Sequence, residues 1–310
     1  MDDETTLRRK TAMLTRMLNH QGTIGLFGHV SVRVPGTNRV LLSPGAGTDK
    51  ATVQPDDIFV FDIDGNILHH PGGLIPLEWR IHTRIHRDRP DCMCIAHLHA
   101  RHATALGIAG HEVVPVFLHG SFLHGGVPTW NNPRLVVNDD QAADLSRALG
   151  DKVAVQMRGH GGVVVGDSAE AALFGCMFLE ENACKQLEAE IMGGAIALSA
   201  DEARDCSEST YNPRLFHLLW SYYEQKVPLP GDAHAGGGRG RNNDKPVRTC
   251  PACNDGPNAE ETCDGRLSRR HCARRGIGCC AHDRDCAGCG ADRAAQSAGA
   301  AQGRRHRRGV

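Results

Sequence analysis

His97-Leu98-His99 follows the apolar run Cys92 to Ala96, and further along Arg158-Gly159-His160-Gly161-Gly162 sets another imidazole among glycines. Alternation along an extended chain puts His97 and His99 on the same side, so both rings can reach one metal ion. A third imidazole from a second strand end completes a triad with a position left open for substrate, which separates a catalytic metal site from a closed structural one. Glu78 lies on a helix just ahead of the triplet and adds a carboxylate. The chain has 18 His, and any single one is ordinarily a surface or satisfied core residue. The weight falls on the conjunction of the His-x-His, the glycine-flanked His160 and the nearby carboxylate. Glycines beside His160 let backbone and substrate approach an ion closely. A dication in such a site polarises a carbonyl or hydroxyl oxygen and stabilises the enolate or phenolate formed when an adjacent carbon–carbon bond breaks. Glu78, with a pKa open to tuning by burial, suits the proton transfer that must follow.

The elements that position these residues can be read from periodicity. Leu7, Met13, Leu14, Met17 and Leu18 recur at helical spacing, predicting a helix that ends near Gln21-Gly22. Strands are expected at His29 to Val34, Val40 to Leu42 and Ile58 to Phe61, the last running into an Asp64-Gly65 hairpin turn. A helix from about Leu77 to Arg87 precedes the strand Cys92 to Ala96 that delivers the triplet. A helix from Asp139 to Leu149, strands at Val153 to Val155 and Val163 to Val165 around the His160 turn, and a long helix from Ser168 to about Leu198 complete the pattern. Short strands hedged by helices describe an α/β sandwich with its polar chemistry at strand ends.

Composition divides the chain into a body, 1–231, and a tail, 232–310. Val247, Leu267, Ile277 and Val310 are the tail's large aliphatic residues and it has no aromatic, too little to build a core. The tail carries 15 Lys and Arg against 9 Asp and Glu, so the formal net charge of -1 conceals an acidic body, which argues against nucleic acid as its partner. Eight of the 13 cysteines lie between Cys250 and Cys289. Cys250-Pro-Ala-Cys253 and Cys286-Ala-Gly-Cys289 have zinc-module spacing but lack the apolar framework such modules bury. A low-order or frame-shifted tail without function is the expectation. The body's Cys92, Cys94, Cys176, Cys184 and Cys206 sit in apolar stretches as small hydrophobes. No apolar run approaches the roughly 20 residues of a membrane span, and the start of the chain lacks a signal region, so a cytoplasmic enzyme with reduced thiols is expected.

The segments Gly28-His29-Val30-Ser31, Leu42-Ser43-Pro44-Gly45, Pro76-Leu77-Glu78, Arg89-Pro90-Asp91, Ala96-His97-Leu98-His99-Ala100 and Arg158-Gly159-His160-Gly161 together resemble the class II aldolase/adducin family over most of residues 7–225. The resemblance implies a three-layer α/β/α sandwich, assembly as a homotetramer, and a divalent metal, Zn2+ or Mn2+, held by His97, His99 and His160. Glu78 matches the family's acidic residue, which can ligate the resting metal and serve as acid/base. The adducin-like branch lacks these ligands, so their presence favours an enzyme.

Departures from the sugar-phosphate aldolase pattern bear on the substrate. His29 stands where those enzymes have an Asn, Ser43-Pro44-Gly45 occupies the second loop, and Pro76-Leu77 replaces a Ser-Ser pair ahead of Glu78. Pro and Leu side chains cannot donate to phosphate oxygens. A carboxylate on a flat hydroxylated ring needs fewer donors, which His29, Ser43, Gly45 and Arg101 are expected to provide. The pattern is similar to the family's decarboxylase branch, which acts on hydroxylated aromatic or pyridine dicarboxylates such as 3,4-dihydroxyphthalate. A retro-aldol lyase for an unphosphorylated hydroxy-keto acid, using the same four residues, and a non-catalytic adducin-like assembly module are the alternatives. His82, one turn after Glu78, is expected to be a partly exposed helix residue, the alternative being that it orients Glu78. His119 and His124 flank a segment that could line the pocket, His69-His70 sits in a loop, and none of Tyr211, Tyr222 and Tyr223 matches a catalytic role.

Overall fold

The computed structural model describes residues 2–230; the tail and its cysteine pairs lie outside the described residues. Eight strands form one sheet in the order β4-β3-β2-β1-β5-β8-β7-β6. They are β1 (His29–Arg33), β2 (Arg39–Leu42), β3 (Phe59–Asp62), β4 (Ile67–His69), β5 (Cys94–Leu98), β6 (Thr129–Trp130), β7 (Ala154–Met157) and β8 (Gly161–Gly166). Every pairing is antiparallel except β6 with β7.

Helices cover both faces, which makes the expected α/β/α sandwich. Alternation sorts each strand's side chains between them: Val30 and Val32 of β1, Cys94 and Ala96 of β5 and Val164 of β8 join one core with α1 (Glu4–His20), α5 (Ala169–Ile191) and α7 (Pro213–Glu224). Ile95, Val155, Val163 and Val165 face the other way into a second core with α2 (Trp79–Asp88) and α4 (Asp139–Leu149). Helix starts follow capping chemistry: Asp3, Asn138, Ser168, Ser199 and Asn212 each accept a backbone N–H from the first turn.

Four expectations change. α2 starts at Trp79, with Glu78 at its N-cap position and Leu77 outside. The triplet strand spans Cys94–Leu98, so His97 belongs to the sheet itself. The long helix stops at Ile191, where Gly193 and Gly194 take positive φ, and α6 (Ala200–Thr210) and α7 follow. α3 (Arg101–Ala109), opening two residues after His99, has no counterpart in the periodicity reading.

Asn182 and Gln186, one turn apart on α5 and buried, act as a surrogate strand for residues 112–116. Asn182 accepts from the Val116 N–H (3.0 Å) and donates to the Val114 carbonyl (2.7 Å), while Gln186 accepts from the Val114 N–H (3.0 Å) and donates to the Glu112 carbonyl (2.8 Å). Asn182→Ala strands two part-buried backbone groups, so a loss of about 1–3 kcal/mol, or roughly 2–10 °C in melting temperature, is expected by thermal unfolding; an unchanged melting point would mean that water replaces the amide. A chain ended at Gly231 is expected to melt with the full chain, and a clearly lower melting temperature would assign the tail to the folded unit.

Candidate metal centre

The site lies where the middle of the sheet meets α2. β1 and β5 pair in a register that sets His29 directly opposite His97. The approach requires Gly28, whose φ is +91° and where a Cβ would meet Ile24 at 2.7 Å and the His97 carbonyl at 3.1 Å. His99 leaves the strand on the same side as His97, its N–H donating to the Thr23 carbonyl (2.9 Å). The β7–β8 turn brings His160 across, and Gly161 lets the His99 ring close in, because a Cβ there would sit 2.8 Å from His99 Cδ2. Glu78 enters from the start of α2.

Ring centroids of His97, His99 and His160 form a triangle of 5.0, 5.1 and 5.4 Å. His97 Nε2 is 3.2 Å from His99 Nε2, and Glu78 Oε2 is 3.4 Å from both His97 Nε2 and His160 Nε2. The three imidazoles each bring a nitrogen within 4.8 Å of the others. A tetrahedron of metal bonds near 2.0–2.1 Å has edges of about 3.3 Å, so these residues fit a small divalent cation. The donor chemistry agrees. The Gly162 carbonyl, 3.1 Å from His97 Nδ1, can only accept, so Nδ1 carries a proton and Nε2 is the nitrogen turned into the cluster. His160 Nδ1 is buried without a hydrogen-bond partner.

Burial and the neighbouring His97 and His160 push His99 down to about 4, keeping it a neutral ligand. Burial raises the Glu78 carboxyl, but the His160 and His97 imidazoles and the Val136 N–H, which donates to Oε1 at 2.8 Å, hold it well below the ordinary carboxylate range. Its resting form is therefore the anion.

The expected substrate residues separate. His29 reaches the cluster: one of its ring nitrogens lies within 4.8 Å of Glu78 and His97 ligand atoms. Its Nδ1 meets His82 Nε2 at 2.6 Å. Ser43 is fully buried and accepts the Val30 N–H at 3.0 Å, next to His29 along β1. Gly45 packs against the 75–76 backbone, where a Cβ would meet Pro76 N at 2.8 Å, so its lack of a side chain serves loop packing. Arg101 is solvent-exposed in the first turn of α3.

His82 is fully buried, not partly exposed, because it turns to His29 and Ser31, and it does not reach Glu78. His119 stacks on Phe178 (4.8 Å), His124 is exposed, and His69 and His70 are exposed around the end of β4. Tyr211 packs on Phe122 and Phe216 in the core across the sheet, burial pushing its hydroxyl up to about 12. Sequence reading passed over Ser31, His86 and Lys50. Of these His86 carries a signal for its face of the helix, though not for its partner, since Glu78, His82 and His86 recur at helical spacing while Ile81 and Ile85 mark the apolar stripe beside them. Lys50 is buried, burial pushing it down to about 8, and donates to the Pro44 and Gly45 carbonyls, fixing that loop beneath the site.

Reconstituted with Zn2+ or Mn2+, the chain is expected to hold one ion, measured by equilibrium dialysis and elemental analysis. His99→Ala is expected to weaken binding by at least the 10–100-fold that losing a mere supporting residue costs. Undiminished metal in both His97→Ala and His99→Ala would exclude this cluster as the centre.

The profile of the Class II Aldolase and Adducin N-terminal domain matches residues 9–187. A 3,4-dihydroxyphthalate decarboxylase of Arthrobacter keyseri is 32% identical over 201 residues, 61% of this chain and 81% of that protein. One from Rhodococcus jostii is 30% identical, over 56% and 75%. Among solved structures, an aldolase II superfamily protein from Pseudomonas syringae superposes with a TM-score of 0.64 at 24% identity, over 73% of this chain and 94% of that one. With the matched domain spanning β1 to β8 and most of α5, every residue of the cluster included, the chain belongs to the class II aldolase and adducin family.

Proposed function

We propose that the protein is a metal-dependent lyase that removes carbon dioxide from a hydroxylated aromatic carboxylate, of the dihydroxyphthalate class. The observation that carries this reading is the convergence of three imidazoles and Glu78 on one point beside His29, a position where a phosphate-binding donor would be expected in a sugar-phosphate aldolase. Relatives named as 3,4-dihydroxyphthalate decarboxylases support the substrate class.

A divalent ion held by His97, His99 and His160 would supply the positive charge that stabilises phenolate oxygens as the carbon–carbon bond breaks. Glu78 handles the proton. Its Oε1 is held by the Val136 N–H, and its Oε2 faces the cluster. As an anion it takes the proton of a substrate hydroxyl; the bond to the carboxylate then breaks, carbon dioxide leaves, and the electron pair stays on the ring carbon. Glu78 returns its proton to that carbon and regains its charge, and the product leaves as the phenolate, which takes a proton from water after release. Proton and charge balance without any redox partner.

Several apolar side chains near the site's edge, Leu26 at 60%, Phe27 at 57%, Leu74 at 62% and Leu77 at 71% exposure, support assembly in which another copy covers them. Phe27 stands 6.1 Å from the His99 ring. Association of copies of this chain, as a homotetramer in the family resemblance, is part of this reading, as is a cytoplasmic setting. Among the described residues no helix is long and apolar enough to cross a membrane.

Incubated with a panel of dihydroxyphthalates and hydroxy-keto acids, the metal-loaded protein is expected to release carbon dioxide from a dihydroxyphthalate. His99→Ala should abolish release, and Glu78→Gln should slow it by about 10²–10⁴-fold. Pyruvate or an aldehyde as product would move the protein to the retro-aldol alternative, and full activity in Glu78→Gln would remove the proton-transfer role.

A further inference from the structure

Beneath the site, β1 and α2 enclose a run of polar side chains that the proposed chemistry does not use. His86 Nδ1 lies 3.2 Å from the Cys92 carbonyl, His86 Nε2 is 2.9 Å from Ser31 Oγ, Ser31 Oγ is 2.7 Å from His82 Nδ1, and His82 Nε2 is 2.6 Å from His29 Nδ1. His86, Ser31 and His82 are fully buried and His29 is 5% exposed.

Such a chain has one self-consistent direction. The Cys92 carbonyl only accepts, so His86 carries its proton on Nδ1. Burial, above all, pushes His86 down to about 3 and holds His82 well below the ordinary imidazole range, so each of these two rings keeps a single proton. The bare Nε2 of His86 then takes the one hydrogen of the Ser31 hydroxyl. Ser31 Oγ accepts from His82 Nδ1–H, and the bare Nε2 of His82 accepts from His29 Nδ1–H. His29 Nε2 is thereby left as a lone pair.

We infer that the Cys92–His86–Ser31–His82 chain is a tautomer lock that presents His29 Nε2 to the site as a hydrogen-bond acceptor, selecting a substrate with a neutral hydroxyl there. This rests on the lyase reading and narrows its substrate. An anionic carboxylate or phosphate oxygen at that point would set lone pair against lone pair. A ring hydroxyl supplies the missing hydrogen, and a site built to pair with a hydroxyl rejects an analogue that lacks it. His29 is thus a specificity residue that reads the hydroxyl, not a donor to the carboxylate. Ser31, His82 and His86 are positioning residues that act through it.

Two-bond proton–nitrogen NMR on 15N-histidine-labelled, Zn2+-loaded protein reads the tautomers without substrate. The expected result is Nδ1–H on His29, His82 and His86. Ser31→Ala should move the proton on His82 and His29 to Nε2 while His86, still bonded to Cys92, stays unchanged and reports an intact fold; Ser31→Thr should restore the wild-type pattern. In parallel, affinity is measured for 3,4-dihydroxybenzoate and its two mono-O-methyl ethers. The metal's preference for free hydroxyls is common to all variants, so a change in the preference reports His29. It should fall about tenfold, one hydrogen bond, in Ser31→Ala and in His29→Asn, and hold in Ser31→Thr. Nε2–H on wild-type His29, or an unchanged preference in Ser31→Ala, overturns the lock. If the tautomers and the hydroxyl preference hold but no phthalate yields carbon dioxide, the lock stands and the lyase reading falls.

Discussion

The register of β1 against β5 is the constraint on which the rest of the site depends. Pairing His29 with His97 places Val30 opposite Ala96 and Ser31 opposite Ile95. Because strand side chains alternate, a slip of one residue would exchange the faces: Val30 and Val32 would turn to α2, and His29 and Ser31 would enter the core beneath α1 and α5. The apolar pattern that stabilises the first core therefore fixes the polar pattern of the second face. β8 extends the arrangement, since its pairing of Val163 with His97 and of Gly162 with Leu98 puts the Gly162 carbonyl on His97 Nδ1 and starts the turn that carries His160.

A helix normally covers a sheet with aliphatic side chains, and α2 does so only along Ile81 and Ile85. Over β1 it presents His82 and His86 instead. Burying such groups is costly unless each is paired, and here each buried nitrogen of the two rings has a partner, so the polar layer specifies one arrangement of helix on sheet. The orientation of His29 is consequently tied to the seating of α2 along nearly its whole length, and so is Glu78 at the helix start.

Much of this was legible in the residues themselves. The strand alternation in His29 to Val34, the Asp139 to Leu149 helix and the Ser168 cap appear in the fold with small boundary shifts. The clustering of His97, His99, His160 and Glu78 followed from spacing together with resemblance. What escaped notice has physical reasons. α3, Arg-His-Ala-Thr-Ala-Leu-Gly-Ile-Ala, is built of small residues with little amphipathic contrast, and β6 is two residues held by β7. The end of α5 was hidden because apolar residues continue through Gly193-Gly194 to Leu198, although the Ser199 and Glu202 capping box announces α6. The Ser31 and His86 contacts needed β1 and α2 to be brought face to face, a tertiary fact that no local period encodes.

α2 must hold still for these roles to persist, and its anchors are distributed to that end. Trp79 stacks on Phe61 at 5.5 Å, with the Arg80 guanidinium 4.3 Å from the indole centre, which fixes the turn next to Glu78. At the far end the Arg33 guanidinium donates to the His86 carbonyl, and Asp88 accepts from Ser146 (2.7 Å) and Arg84 (2.7 Å), tying the last turn to α4. A residue shift of the helix would move its side chains by about 1.5 Å along the axis and rotate them by about 100°. That would break the His82–His29 contact and withdraw Glu78 from the imidazoles in the same motion. The place of Glu78 among the imidazoles and the orientation of His29 are in this way properties of one helix seat, which is why the polar layer under α2 is as much a part of the candidate site as the histidines at its mouth.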